Sequence, residues 1–219
     1  IYDPATGELH GINGSGRSPA NQTLDQLLEK LDGAEALPPY GALPITVPGT
    51  VDAWFAMHER FGKRSMADNL APTVRYAREG HPIAPVIGMY LALNLKRFEQ
   101  NSADFDFTNA RKLWFSDGTA PEAGEIFKNP DLANTLETIG REGRDAYYDG
   151  ALTDGIVDYL QAHGSAFTRE DFAIALDELE IVIADTRERV GSLEAAAGAA
   201  RRRPAGRARR GAGPNSHSW

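Results

Sequence analysis

Apolar positions along this chain fall mostly at helical spacing, in stripes punctuated by glycine and proline. Leu24, Leu27, Leu28 and Leu31 form one such stripe. Ser18 as N-cap with Pro19 at the first helical position opens it, and Gly33 closes it. Val51, Trp54, Phe55, His58 and Phe61 predict a second helix, turned into by Pro48-Gly49-Thr50 and ended by Gly62. A third carries Met66, Leu70, Val74 and Ala77 and stops near Gly80, with Pro72 inside as a kink. Its start, Ser65 with Asp68, resembles a capping box, although Asp is shorter than the favoured Glu or Gln. Further helices are predicted over 86–100, from Asn129-Pro130 with Leu132, Leu136 and Ile139 inward, over 155–163, and in a short turn capped by Thr168.

Strand signals are few. Asp3-Pro4-Ala5-Thr6-Gly7 has turn chemistry and predicts a hairpin over 1–12. Ile45-Thr46-Val47 reads as a short extended piece after a proline-rich connection, and Ile181-Val182-Ile183 as a possible strand. Residues 101–128 are mixed, with Phe105, Phe107, Trp114 and Phe115 as core contacts. The chain reads as helix-rich with a few short strands and no internal repeat.

Composition narrows the chemistry. None of the 219 residues is Cys, which excludes disulfides, thiolate metal sites and cysteine nucleophiles. The net charge of −8 argues against a generally basic nucleic-acid binder. That charge is uneven: 195–219 holds six arginines and no acid, leaving −14 for residues 1–194. The arginine-rich end has no apolar periodicity and is expected to be disordered. Without interleaved aromatics it is a poor nucleic-acid signal. No apolar run approaches the ~20 residues of a membrane-spanning helix. The chain opens on Ile1 rather than Met, so an N-terminal part is expected to precede it, and a periplasmic, secreted or cytoplasmic location stays open.

Gly11-Ile12-Asn13-Gly14-Ser15-Gly16-Arg17-Ser18 fits a phosphate-binding loop except that Arg17 replaces lysine. The planar guanidinium is a poor substitute for that compact point charge, and the preceding Glu8-Leu9-His10 is not a buried parallel strand. Ile181-Val182-Ile183-Ala184-Asp185 could pose as its partnering strand, but the residues between read as successive helices. Arg17 itself, placed at a helix N-terminus, could grip a carboxylate with two parallel hydrogen bonds. Pattern alone favours a solvated loop arginine. His10, His58, His81, His163 and His217 show no metal-ligand spacing, and His58 reads as a packed, hydrogen-bonded residue. Asp145, Asp149, Asp154 and Asp158 cluster in sequence but read as a solvated acidic face. No serine sits in a nucleophile elbow.

Several stretches together resemble the gamma-glutamyltransferase family of N-terminal-nucleophile hydrolases, of bacterial type. They are Tyr2–Gly7 running into Leu9–Ala20, Ile45–Trp54 continuing through His58–Lys63, Leu70–Pro72 with Tyr76–Gly80, Asn129–Ala133, Gly140–Tyr148, and Thr168–Phe172. The resemblance implies an α+β architecture, a helix-rich fragment of an αββα sandwich. It implies a precursor that cuts itself in two, the new N-terminal Thr of the small subunit serving as nucleophile and its amine as base. The substrate would be a gamma-glutamyl amide such as glutathione, its acyl group passing to water or to an amino acid or peptide, and some relatives hydrolyse other amides. No metal or organic cofactor is implied. The large-subunit arginine that binds the substrate's alpha-carboxylate matches Arg17, which reverses the reading from pattern.

The same resemblance sets the expected organisation: a partial large-subunit region over 1–173, a transition over 174–194, and the arginine-rich tail over 195–219. No Gly-Thr-Thr-His-like start occurs, so no catalytic residue is assigned in this chain, and it is expected not to turn over without the small subunit of the same precursor. The drift into Ala, Gly, Arg and Pro after about Ala173 is the composition a reading-frame shift in GC-rich DNA would give. A non-catalytic helical module binding a small carboxylate or a partner subunit is the alternative.

Overall fold

A computed structural model describes residues 1–103, 105–115 and 117–174. The expectations for the strand at 181–183, the transition and the arginine-rich tail lie outside the described residues.

Residues 1–11 fall outside the unit of 12–180 and hold an antiparallel hairpin of β1 (Tyr2–Asp3) and β2 (Glu8–Leu9) in register Tyr2 to Leu9 and Asp3 to Glu8. Asp3 Oδ1 accepts from Ala5 N at 2.9 Å, and Gly7 sits at φ +71, so the turn forms where its chemistry predicts.

In the second unit the first helix coincides with its leucine stripe but starts later than its predicted cap. α1 spans Leu24–Leu31 and begins at Thr23, not at Ser18-Pro19. Thr23 Oγ1 accepts from Gln26 N at 3.3 Å while Gln26 Oε1 accepts from Thr23 N at 3.1 Å, a reciprocal box that satisfies two orphan donors. Pro19 instead opens a turn, with Gln22 N donating to its carbonyl at 3.0 Å. None of α1 is buried, and Leu24 and Leu28 lie exposed.

α2 (Thr50–Phe61) and α3 (Met66–Glu79) follow their predicted stripes, including Pro72 inside α3. Ser65 caps α3 by accepting from Asp68 N at 3.0 Å. Asp68 returns a contact to the Ser65 hydroxyl, not to its backbone, as its shorter side chain dictates. β3 (His81–Pro82) pairs antiparallel with β4 (Ile126–Phe127), a ladder the sequence pattern did not reveal. Between them lie α4 (Pro85–Gln100) and α5 (Thr108–Trp114). Phe107 and Phe115 are buried as predicted, and Trp114 stacks on Phe127 at 4.3 Å.

α6 (Pro130–Glu142) packs along α3, where Gly140 lies so close that a Cβ would stand 3.1 Å from the Ala67 Cα. Its inward face is Ala133, Leu136 and Ile139; the expected Leu132 points out, 43% exposed. A one-turn helix α7 (Asp145–Tyr148) and then α8 (Ala151–Ala162) follow, the latter starting four residues before the predicted 155. Buried Thr153 accounts for that start, accepting from Gly150 N at 3.2 Å and donating to Tyr147 O at 2.7 Å. α9 (Arg169–Ile174) closes the described chain. Its Asp171 accepts from Thr168 N at 2.7 Å and from Ala20 N at 2.8 Å, tying the segment before α1 to the last helix.

The main core gathers Val47, Val51, Ile139, Tyr148, Val157, Leu160, Phe167 and Phe172. It includes Val47, whose backbone N–H is bonded to the Arg17 carbonyl.

Candidate functional site

Arg17 stands in irregular backbone, and no helix begins for six residues after it, so the expected helix N-terminus is not there to favour an anion. The same fact removes the phosphate-loop geometry, which needs a helix to start inside the motif.

What holds the arginine is backbone contact. Val47 N donates to Arg17 O at 2.8 Å. A Cβ on Gly16 would lie 1.5 Å from Val47 O, and one on Gly49 would lie 2.1 Å from Gly14 O. Residues 14–17 and 47–49 therefore meet with no room for a side chain between them. The glycines of the phosphate-loop-like motif serve here for close approach. The Arg17 side chain is exposed on this seam.

Beneath the seam is a buried polar assembly. Tyr148, fully buried, donates its hydroxyl to Pro48 O at 2.5 Å and accepts from Asp52 N at 3.1 Å. Burial pushes its phenol up to about 12, so the group stays a donor at any physiological pH. Asp52, in the first turn of α2, pairs with Arg144 Nε. The Arg144 guanidinium lies 4.4 Å above the Tyr148 ring, and its Nη1 is 3.5 Å from Asp145. Asp52, Arg144 and Tyr148 lie in stretches that carry the family resemblance, but no local pattern gives them a role. A carboxylate set between Val51 and Ala53 at the start of an apolar helix was the available signal.

The other candidates do not converge on Arg17. His58 Nε2 lies 2.5 Å from Arg64 O, the packed, hydrogen-bonded role expected of it. His81 meets Phe127 edge-on, and His10 belongs to the hairpin, 3.8 Å from Glu8. His217 lies outside the described residues. Asp149 and Asp154 pair with Arg169, while Asp154 and Asp158 remain exposed as a solvated face. No cluster of three or more metal-ligating side chains occurs among the described residues. No described helix is long and apolar enough to cross a membrane.

A cavity of about 710 Å³ lies apart from Arg17, lined by Tyr40, Leu43, Phe105, Asp106, Tyr159 and His163. The Tyr159 carbonyl and the Asp106 carboxylate hold the His163 imidazole above its usual range. The folded pKa being raised, the contact's contribution is present below the unfolded value and lost as pH rises through the folded one. In an NMR titration His163 should titrate above an unperturbed histidine, and Asp106→Asn should lower its midpoint.

Comparison with known proteins completes the picture. The family model for gamma-glutamyltranspeptidase matches residues 1–184. The glutathione hydrolase-like YwrD proenzyme of Bacillus subtilis is 37% identical over 161 residues, 73% of this chain and 29% of that protein. Human glutathione hydrolase 5 proenzyme is 32% identical over 191 residues, 84% of this chain and 31% of that protein. Among solved structures, a cephalosporin acylase from Bacillus halodurans superposes with a TM-score of 0.68 at 34% identity, over 76% of this chain and 31% of that one. The Helicobacter pylori gamma-glutamyltranspeptidase superposes with a TM-score of 0.69 at 26% identity, over 79% of this chain and 48% of that one. The chain thus spans under a third of the length of these two curated relatives.

Proposed function

The chain belongs to the gamma-glutamyltranspeptidase family, and we propose that in the complete enzyme it supplies the carboxylate-binding side of a site that cleaves gamma-glutamyl amides. Its fold, a helix-rich α+β fragment, is that of the family's N-terminal-nucleophile hydrolases. Arg17 grips the substrate's alpha-carboxylate. The N-terminal threonine of a small subunit, cut from the same precursor, attacks the amide with its own amine as base. The acyl group then passes to water, an amino acid or a peptide. This chemistry calls for no metal or organic cofactor.

The observation that carries the reading is the setting of Arg17: an exposed residue on backbone fixed by Val47 N and by the Gly16 and Gly49 contacts. A planar fork on a rigid mount suits a carboxylate, whose two oxygens it can meet at once.

Arg17→Ala in the complete enzyme should therefore raise KM for a gamma-glutamyl anilide. A charged hydrogen-bonded pair is worth about 1.5–3 kcal/mol, or roughly tenfold to hundredfold. Arg17→Lys should fall between, keeping the charge without the fork. An unchanged KM in Arg17→Ala would sink the assignment. The likeness to the cephalosporin acylase favours a second reading, in which the amide is the acyl amide of a cephalosporin. Steady-state kinetics with a cephalosporin and a gamma-glutamyl anilide side by side would separate the two.

A further inference from the structure

We infer that Tyr148 is a positioning residue for Arg17: its hydroxyl fixes the backbone at Pro48, and the glycine seam carries that position to the arginine. The inference rests on Arg17 gripping a substrate carboxylate as proposed above.

The segment 47–49 has few ways to be held. Pro48 lacks an N–H, and Val47 N is already given to Arg17 O. The Pro48 carbonyl is taken by Tyr148 at 2.5 Å, and the same hydroxyl receives Asp52 N at 3.1 Å. One oxygen thus joins the turn before α2 to the first turn of α2. The ring that carries it cannot drift, because it is fully buried with the Arg144 guanidinium over its face and Arg144 paired to Asp52.

Removing only the hydroxyl leaves the ring's packing in place but strips Pro48 O and Asp52 N of a partner. Buried polar groups without partners are costly, and a turn relieves the cost by shifting toward new ones. Elsewhere side chains would absorb such a shift. Here a Cβ on Gly16 would already stand 1.5 Å from Val47 O, so the two backbones are in direct contact and move together. The expected consequence falls on where the guanidinium stands, and so on substrate binding, with the bond-making residues of the other subunit untouched.

The test uses the complete two-subunit enzyme as wild type, Tyr148→Phe, Arg17→Ala and the double variant. Two anilides are compared, gamma-glutamyl 4-nitroanilide and its counterpart without the alpha-carboxylate, 4-aminobutyryl 4-nitroanilide. Tyr148→Phe should raise KM for the gamma-glutamyl anilide roughly 3- to 10-fold with kcat held within about twofold, the scale of one hydrogen bond. The 4-aminobutyryl anilide should show no such rise, and the effect should vanish when Arg17 is already alanine. A rise of equal size on both anilides, a fall confined to kcat, or an undiminished effect in the Arg17→Ala background would overturn the positioning role. If Arg17→Ala raises KM and Tyr148→Phe does nothing, the positioning role alone fails. If Arg17→Ala has no effect, the carboxylate-grip reading fails and takes this inference with it. Should Tyr148→Phe not accumulate as folded enzyme, Asp52→Asn, which loosens Arg144 over the ring, should give a smaller rise on the gamma-glutamyl anilide alone. No rise there would also overturn the role.

Discussion

Alanine at position 16 should destabilise the chain by about 3 kcal/mol or more, at the upper end of what an added buried methyl costs. The new Cβ would fall 1.5 Å from Val47 O, an atom of the main chain that no rotamer change can remove. Residues 14–17 must then part from 47–49, and the 2.8 Å bond from Val47 N to Arg17 O is lost with them. Val47 is 1% exposed and belongs to the main core, so the displacement reaches Val51 and Tyr148 as well. Chemical denaturation of the whole chain would report the loss as a lower midpoint with an unchanged slope. Alanine at Ser15, an exposed neighbour, should leave the midpoint nearly unmoved. Equal behaviour of the two variants would contradict the packing described.

Arg144→Ala should be similarly severe, about 3–5 kcal/mol, because it leaves the Asp52 carboxylate buried without its cation. Asp52 and Arg144 side chains are only 7% and 13% exposed, so water cannot take the partner's place. The same change strips a cation from the face of the Tyr148 ring. Removing both charges is expected to cost less than removing Arg144 alone, since the penalty lies chiefly in the orphaned carboxylate. A thermal-denaturation cycle of Arg144→Ala, Asp52→Asn and the double variant measures this directly. An additive result would mean that the two groups are held independently.

The helices with the broadest apolar stripes were readable from sequence, because burial on one face imposes a 3.6-residue period. α2, α3 and α4 appear within a residue or so of their predicted limits. α1 was misplaced because two local signals compete within six residues. Ser18-Pro19 offers one cap, while Thr23 with Gln26 satisfies two donors reciprocally and prevails. α7 is a single turn, too short for any period to show, and Tyr148 takes its importance from partners near residue 50. Gly14, Gly16 and Gly49 are the sharpest case. Composition reads glycine as freedom, and only the meeting of two distant segments turns it into closeness. Arg17 was singled out through family resemblance, since its local pattern favoured a solvated loop residue.

The seam at Gly14, Gly16 and Gly49 also separates the address of the proposed binding group from its identity. The course of residues 14–17 is fixed by the close approach of Gly16 to Val47 O, of Gly49 to Gly14 O, and by the bond from Val47 N to Arg17 O. The backbone at position 17 is therefore placed by contacts with residues 47–49. A carboxylate there would present itself to an amine-bearing acyl group, and a carboxamide to a neutral one, from the same place and along the same direction. With Arg17 in the carboxylate-binding role proposed above, exchanging that one side chain would alter the acyl group accepted while these main-chain contacts stay in place.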